Sequence, residues 1–276
     1  MSEFASLRTE STNQQTKNID KLDSLGIAKA INEQDKTVAD AVEKALPEIA
    51  KGIDLYAEIL SGGGRVFYVG AGTSGRLGVL DASECPPTYG VSAETVQGII
   101  AGGRDAAFDS IEDAEDDPES IVKQLKAKDF CEKDVCIGLS ASGSAACVQN
   151  ALVYARSIGA KTMCVSCNPD SALIPLSDVA MIAVVGAEVI NGSTRMKAGT
   201  AQKMILNMLS TGGMVRTGRV RGNYMAYMVP SNKKLVDRAI RIICDETGCE
   251  QGTAREFLEK HKFMIADAID DINSNK

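Results

Sequence analysis

Short apolar runs alternate with longer amphipathic segments along most of this chain. Five runs have the length and composition of buried strands, and they lie at residues 66–69, 95–101, 135–139, 162–166 and 179–185. Segments of helical length separate most of these runs. Because parallel strands need crossover connections and are covered on both faces, the alternation predicts an α/β fold around a five-stranded parallel sheet.

Helical periodicity precedes and follows the predicted sheet. Between residues 27 and 60 the apolar positions recur every three or four residues, and Pro47 predicts either a new helix or a kink in the first one. A long helix is predicted over 196–215, and two or three more over 234–272. Because residues 1–20 are polar and aperiodic, they are expected to form an arm or a loop.

The most informative motif is Gly-Ala-Gly-Thr-Ser-Gly-Arg at residues 70–76, directly after the first predicted strand. Glycines allow the backbone to approach a ligand closely, and the free N–H groups at the start of a helix attract anions. With a helix predicted to begin near Leu77, the backbone at Gly72 and the hydroxyls of Thr73 and Ser74 are expected to bind a phosphate group.

A second hydroxyl-rich turn, residues 140–144, follows the third predicted strand. Serines in such turns usually bond the local backbone, and this simpler role stays open for Ser140 and Ser142. In a doubly wound sheet, however, ligands bind beyond the carboxyl ends of the strands. Two hydroxyl-rich loops at that edge are therefore expected to converge on one phosphate.

The first motif also satisfies the G-x-G-x-x-G pattern of dinucleotide-binding proteins. That interpretation requires an acidic residue about 20 residues further on, at the end of the second strand. The second predicted strand ends instead in Gly102-Gly103. The sequence therefore favours a phosphorylated small molecule over NAD.

Composition and charge narrow the choice of partners. The chain has 276 residues, of which 44% are hydrophobic and 24% charged, as in ordinary globular proteins. A net charge of −7 disfavours binding to nucleic acid. The sequence shows neither an apolar run of membrane-spanning length nor a signal-peptide core, so we expect a cytoplasmic protein without membrane association.

The eight cysteines do not have the density or the spacing of a disulfide scaffold or a zinc site. Cys164 and Cys167 form a C-x-x-C pair, but most of that motif lies within a predicted strand. No second such pair exists, and the single histidine, His261, is far away in sequence. We expect buried free thiols and no bound metal.

Several long blocks resemble the N-acetylmuramic acid 6-phosphate etherases, which contain the phosphosugar-binding sugar isomerase (SIS) domain. The blocks cover residues 70–90, 98–103 with 112–117, and 191–203 with 207–212, while Thr9-Glu10 and 32–38 fit the family's N-terminal pattern. The resemblance implies a three-layer αβα SIS-type fold with N-terminal helices and a small C-terminal helical extension. The corresponding domain boundaries are 1–60, 61–230 and 231–276, with the SIS domain in the middle.

The resemblance also implies a carbon–oxygen lyase without a metal or redox cofactor. The family removes D-lactate from C3 of the open-chain sugar by elimination and then adds water. By motif, Glu84 corresponds to the acid that protonates the lactate oxygen, and Glu115 to the second catalytic glutamate, the base at C2. Ser193, Thr194 and Lys197 are expected near the phosphate, although a solvated helix residue is an equal alternative for Lys197. SIS domains commonly form dimers, so a homodimer is expected.

This chain departs from the family pattern in two places. Ser144-Ala145-Ala146-Cys147 replaces the usual Arg-Thr-Pro-Tyr, and Tyr224-Met225-Ala226-Tyr227 replaces the usual Leu-Met-Val-Asp. These changes leave open an altered substrate. They also leave open two other functions on the same fold, a non-catalytic phosphosugar-binding regulator and a phosphosugar isomerase. A regulator has no need of both glutamates.

Overall fold

The computed structural model describes residues 11–111 and 113–274. Thr9, Glu10 and Glu112, which belong to the blocks discussed above, lie outside the described residues, as does half of the predicted N-terminal arm. The described part of that arm, 11–20, is mostly turn and irregular. It is nevertheless anchored, because the buried Thr16 hydroxyl donates to the carbonyl of Val189 at 2.8 Å.

A single five-stranded parallel sheet has the order β2-β1-β3-β4-β5. Its strands are β1 (Val66–Gly70), β2 (Val96–Ile100), β3 (Val135–Leu139), β4 (Lys161–Ser166) and β5 (Val179–Ile182). All five follow the predicted apolar runs, so the predicted sheet is confirmed. Gly70 pairs with Leu139 at the carboxyl ends of β1 and β3. The two loops that carry the predicted phosphate-binding residues therefore begin side by side.

Nine α-helices are found in the described residues. They are α1 (Ser24–Glu43), α2 (Leu46–Ser61), α3 (Gly72–Tyr89), α4 (Ser120–Ala127), α5 (Ala146–Ser157), α6 (Lys197–Arg216), α7 (Lys233–Thr247), α8 (Gln251–Lys260) and α9 (Ile265–Ser274). Pro47 lies in the first turn of α2. It therefore starts a new helix, since proline fits where an N–H would have no partner within the helix.

Side chains on β1 show how helices cover both faces of the sheet. Phe67 packs with α4 and α5 in a buried apolar cluster and meets Phe130 edge to face at 5.2 Å between ring centroids. Tyr68 points to the other face, because successive strand residues alternate. There α3 approaches so closely that a Cβ on Gly78 would lie 2.9 Å from the Cβ of Tyr68. The three-layer αβα arrangement is confirmed.

Internal contacts divide the chain into two compact units. The first comprises the chain up to Ser83 together with Glu94–Gly213, and the second comprises Glu84–Ala93 and Met214–Lys276. The second unit has its own apolar cluster, built from one face each of α7, α8 and α9. Its three helices are the predicted C-terminal extension, while the domain boundaries at 60 and 230 stay a prediction.

Candidate active site

The start of α3 brings two hydroxyls to the carboxyl edge of the sheet. The prediction that the glycine-rich turn continues to Arg76 was wrong, since α3 begins at Gly72, five residues before Leu77. Gly72 has a φ of +50°, and a Cβ on Gly70 would lie 2.7 Å from the nitrogen of Gly75. These glycines let the chain turn directly from strand into helix. Thr73 and Ser74 consequently lie in the first helical turn.

The loop after β3 is held by hydrogen bonds within itself and from its neighbours. The Ser140 hydroxyl accepts from the N–H of Gly143 at 3.0 Å, and the hydroxyls of Ser142 and Ser144 are 2.7 Å apart. The amide of Asn168 donates to the Ser142 carbonyl at 3.2 Å. The Ser140 hydroxyl thus accepts one bond from the local backbone and keeps its own proton, whereas Ser142 and Ser144 form a pair of linked hydroxyls.

Both loops line one cavity of about 390 Å³. The predicted site residues in its wall are Gly72, Thr73, Ser74, Ser140, Ser142, Thr194 and Glu115. The structure therefore brings both hydroxyl-rich loops and one of the two predicted catalytic glutamates to the same cavity. Ser144, which stands where the family usually has arginine, lies in the wall as well.

Glu115 is positioned by the backbone of its own turn. Its carbonyl accepts from the N–H of Cys147 in the first turn of α5 at 3.2 Å. Although the residue as a whole is exposed, partial burial of its carboxyl group raises the pKa, and the neighbouring charge of Asp116 raises it further. Residues 113–116 form a turn.

A second cavity, of about 430 Å³, meets the first one at Ala71, Gly72 and Glu115. Arg76, from the second turn of α3, lies in its wall. The guanidinium donates to the carbonyls of Ala107 and Asp109 at 3.1 and 2.8 Å. Arg76 thereby fixes the loop that leads into the turn of Glu115.

Neither cavity wall includes Lys197. Its buried ammonium donates to the carbonyl of Val185 at 2.8 Å, and the backbone N–H groups of Lys197 and Ala198 each donate to the fully buried carboxylate of Glu188 at 2.9 Å. Burial lowers the pKa of Lys197, against the opposing effect of Glu188. A phosphate-binding role for Lys197 stays a prediction, and these contacts support a structural role. Ser193 is half-buried, and neither cavity wall includes it.

Glu84 is exposed, and neither cavity wall includes it. It follows Ser74 by ten residues in α3, which corresponds to about 15 Å along a helix axis. Glu84 belongs to the second compact unit and Glu115 to the first, so the pairing of the two predicted catalytic glutamates in one site stays a prediction.

Two buried polar groups on α3 and α6 were missed by the sequence analysis. Ser74 donates to the side-chain carbonyl of Gln202 at 3.0 Å. Asp81 accepts from Asn207 at 2.9 Å and from Ser210 at 3.1 Å, and its burial raises the pKa of its carboxyl despite these bonds. The available signal was the row of polar residues within an otherwise apolar helix over 200–211.

All eight cysteines are free thiols, and the pair at 164 and 167 is buried. Burial raises the pKa of Cys164 to about 11 and that of Cys167 to about 12. Thiols of this kind are inert at neutral pH. Among the helices of the described residues, none combines the length and the apolar character needed to cross a bilayer.

Comparisons with known proteins agree with this architecture. The SIS domain model matches residues 117–212, and the model of the glucokinase regulatory protein N-terminal SIS domain matches residues 27–156. A phosphoheptose isomerase from Francisella tularensis superposes with a TM-score of 0.53 at 18% identity, over 70% of this chain and 98% of its own. That likeness concerns the fold.

Curated relatives are much more similar. The N-acetylmuramic acid 6-phosphate etherase of Clostridium botulinum (strain Loch Maree / Type A3) is 52% identical over 269 residues, which are 98% of this chain and 89% of the relative. The enzyme of the same name from Clostridium beijerinckii is 53% identical over 263 residues, or 95% and 86% of the two chains.

The parallel sheet with its paired hydroxyl loops defines a SIS-domain protein. The near-complete similarity to curated relatives is more specific, and the chain belongs to the N-acetylmuramic acid 6-phosphate etherase family. The predicted family is confirmed, and so is the prediction of an enzyme of the carbon–oxygen lyase class. The regulator and isomerase alternatives are not favoured, because the relatives that cover nearly the whole chain are named etherases.

Proposed function

We propose that this protein removes the D-lactyl group from N-acetylmuramic acid 6-phosphate and releases N-acetylglucosamine 6-phosphate and D-lactate. The observation that carries the proposal is the meeting of two hydroxyl-rich loops and Glu115 on one cavity. Sequence identity of 52% with a curated etherase supports the choice of substrate.

The phosphate of the sugar binds between the two loops. Thr73, Ser74 and Ser142 offer side-chain hydroxyls, and the first N–H groups of α3 have no partners within the helix. Together with the positive end of the helix dipole, such groups bind a dianion without a cationic side chain. This placement leaves Glu115, in the wall shared with the second cavity, next to the carbon chain of the sugar.

Glu115 removes the C2 proton of the open-chain aldehyde. The electron pair of the C2–H bond forms the C2–C3 double bond, and the C3–O bond breaks with protonation of the lactate oxygen by Glu84. Water then adds at C3, and C2 regains a proton. The raised pKa makes Glu115 a stronger base than an ordinary exposed carboxylate, as general base catalysis near neutral pH requires.

We place Glu84 in the site of a second copy of the chain, so the active unit is a homodimer. The support is that Glu84 is exposed and stands about ten residues along α3 from the cavity, while the same helix supplies Ser74 to the cavity of its own chain. In a symmetric dimer each chain supplies its Glu84 to the cavity of the other chain, so the dimer has two equivalent sites.

We propose that the protein works in the cytoplasm, in the recycling of cell-wall amino sugars. Eight free thiols, five of them buried, suit a reducing compartment.

Incubation with N-acetylmuramic acid 6-phosphate in D₂O tests this function. We expect equal amounts of D-lactate and N-acetylglucosamine 6-phosphate, with deuterium at C2 of the sugar, because the proton removed there returns from solvent. Unphosphorylated N-acetylmuramic acid is the control, and it should react far more slowly because it lacks the group that the loops bind. A ketose product without D-lactate would instead identify an isomerase.

Burial is the larger cause of the raised pKa of Glu115, and the charge of Asp116 should shift the acidic limb of the pH–rate profile further. Because this charge raises the pKa of Glu115, Asp116→Asn should lower that pKa and move the acidic limb of kcat/KM to lower pH. The measurement is kcat/KM for D-lactate release between pH 4 and 8. Asp117→Asn changes the next exposed carboxylate along the chain and should leave the limb in place. Equal profiles for wild type and Asp116→Asn would contradict the assignment of Glu115 as the titrating base.

A further inference from the structure

Gln202 lies behind the phosphate cavity, on the first half of α6. Only 1% of the residue is exposed, and its side-chain carbonyl accepts the hydroxyl proton of Ser74 at 3.0 Å. Its Nε2 is buried and has no hydrogen-bond partner in the described part of the chain. The amide therefore stands in an orientation that leaves one of its two polar groups unsatisfied. A buried donor without a partner costs free energy.

The direction of this hydrogen bond matters for anion binding. A serine hydroxyl has one proton and two lone pairs. While Ser74 donates its proton to Gln202, it turns only lone pairs toward the cavity that its side chain lines. A phosphate dianion consists of acceptor oxygens and therefore needs donors, which Ser74 in this state does not supply.

We infer that Gln202 is a positioning residue that makes Ser74 a donor when a phosphate enters. The amide turns about its terminal torsion, so that Nε2 donates to the Ser74 oxygen and the Ser74 proton passes to a phosphate oxygen. The same 3.0 Å contact serves in both states with its direction reversed. This inference rests on the proposed function, because it requires the phosphate of the sugar in this cavity.

The chemistry of an amide suits this task. The terminal torsion of glutamine is broad and roughly two-fold, and its two ends have nearly the same size. A half-turn therefore needs little room in a packed interior. It gives the buried Nε2 the partner that it lacks in the structure, in exchange for the bond that Oε1 accepts from Ser74, so the number of hydrogen bonds between the amide and Ser74 stays the same.

The test is a cycle of binding measurements with the purified full-length chain. Gln202→Met keeps the length of the side chain and removes both polar ends, so no donor remains to hold the Ser74 lone pairs and direct the Ser74 proton at the phosphate; it should weaken binding of N-acetylglucosamine 6-phosphate and of inorganic phosphate by about threefold. Ser74→Ala should weaken binding by about tenfold to a hundredfold, as expected for a hydrogen bond to a charged group. Adding Gln202→Met to Ser74→Ala should then cost nothing more, since Gln202 acts through Ser74.

Two further variants separate positioning from packing. Gln97→Met removes the amide of another buried glutamine, on β2, whose side chain donates to the carbonyl of Glu94, and it should leave phosphate affinity unchanged. Gln202→Glu can only accept while ionised, so it should weaken phosphate binding at pH 8 by at least as much as Ser74→Ala does. Binding, measured relative to wild type at each pH, should recover as the pH falls and the carboxyl group regains a donor.

The outcomes are distinct. If Gln202→Met costs the same factor with and without the Ser74 hydroxyl, Gln202 acts by packing and the inference is wrong. The same follows if Gln202→Glu binds phosphate as tightly as wild type at pH 8. If wild type itself binds neither phosphate nor the phosphosugar, the inference and the proposed function both fall. Because Gln202 touches no reacting atom, the C2 exchange rate at saturating substrate should change by less than threefold in Gln202→Met, while KM rises.

Discussion

Glu115→Gln is expected to slow exchange of the C2 proton of N-acetylglucosamine 6-phosphate with solvent by about 10² to 10⁴, the usual contribution of a positioned base. Glutamine has the shape of glutamate but cannot accept a proton at neutral pH. The fold should persist, because the contact that holds this turn runs from the Cys147 N–H to the backbone carbonyl of residue 115. Exchange in D₂O, followed by loss of the C2 proton signal, measures the effect.

Asp113→Asn is the matched control for this experiment. Asp113 is an exposed carboxylate of the same turn and lines only the second cavity. It should exchange the C2 proton at close to the wild-type rate. Affinity for inorganic phosphate should survive in both variants, because the loops supply its ligands. Exchange by Glu115→Gln within threefold of wild type would show that another group is the base.

Glu84→Ala should lose ether cleavage by about 10² to 10⁴ and still exchange the C2 proton of N-acetylglucosamine 6-phosphate. The two steps separate because removal of the proton needs only the base, whereas departure of lactate needs an acid. The side chain is exposed, so the free energy of unfolding should change little. Paired assays of D-lactate release and C2 exchange on one preparation measure both steps. Equal loss of the two activities would contradict this division of roles.

Mixing the two inactive variants tests where Glu84 acts. If the active site combines Glu115 of one chain with Glu84 of another, subunit exchange should produce hybrid dimers with one intact site. A random mixture of Glu84→Ala and Glu115→Gln chains should then regain roughly a quarter of the wild-type activity. Hybrid dimers that form but release no D-lactate would place both glutamates in one chain.

The sheet could be predicted from the sequence because its strands are buried on both faces. Each therefore appears as a continuous apolar run, as at Val66–Gly70 and Val135–Leu139. The start of α3 could not be predicted in the same way. Residues 70–75 contain three glycines, which disfavour a helix by intrinsic propensity. The helix begins there because those glycines allow its first turn to pack directly against the strand it follows.

The candidate site was only partly predictable. The position of the two hydroxyl loops follows from the rule that parallel strands end at one edge, and both loops do line one cavity. The placement of Lys197 depends on the buried carboxylate of Glu188, nine residues earlier. No local sequence pattern predicts that contact. Gln202 meets Ser74 only through the packing of α6 against α3, a contact across 128 residues of chain.

The carboxylate of Glu188 gives α6 a built-in counter-ion. It occupies the place at the helix N-terminus that a free anion takes in many proteins, and it accepts two backbone N–H groups there. At this edge of the sheet the N-terminus of α3 is therefore open to an anionic ligand. The positive end of the α6 dipole is already neutralised by Glu188 of the same chain. Sulfate or phosphate in the medium should then compete with the sugar at α3 alone, and a designer who wants a second anion site at this edge would have to begin by removing Glu188.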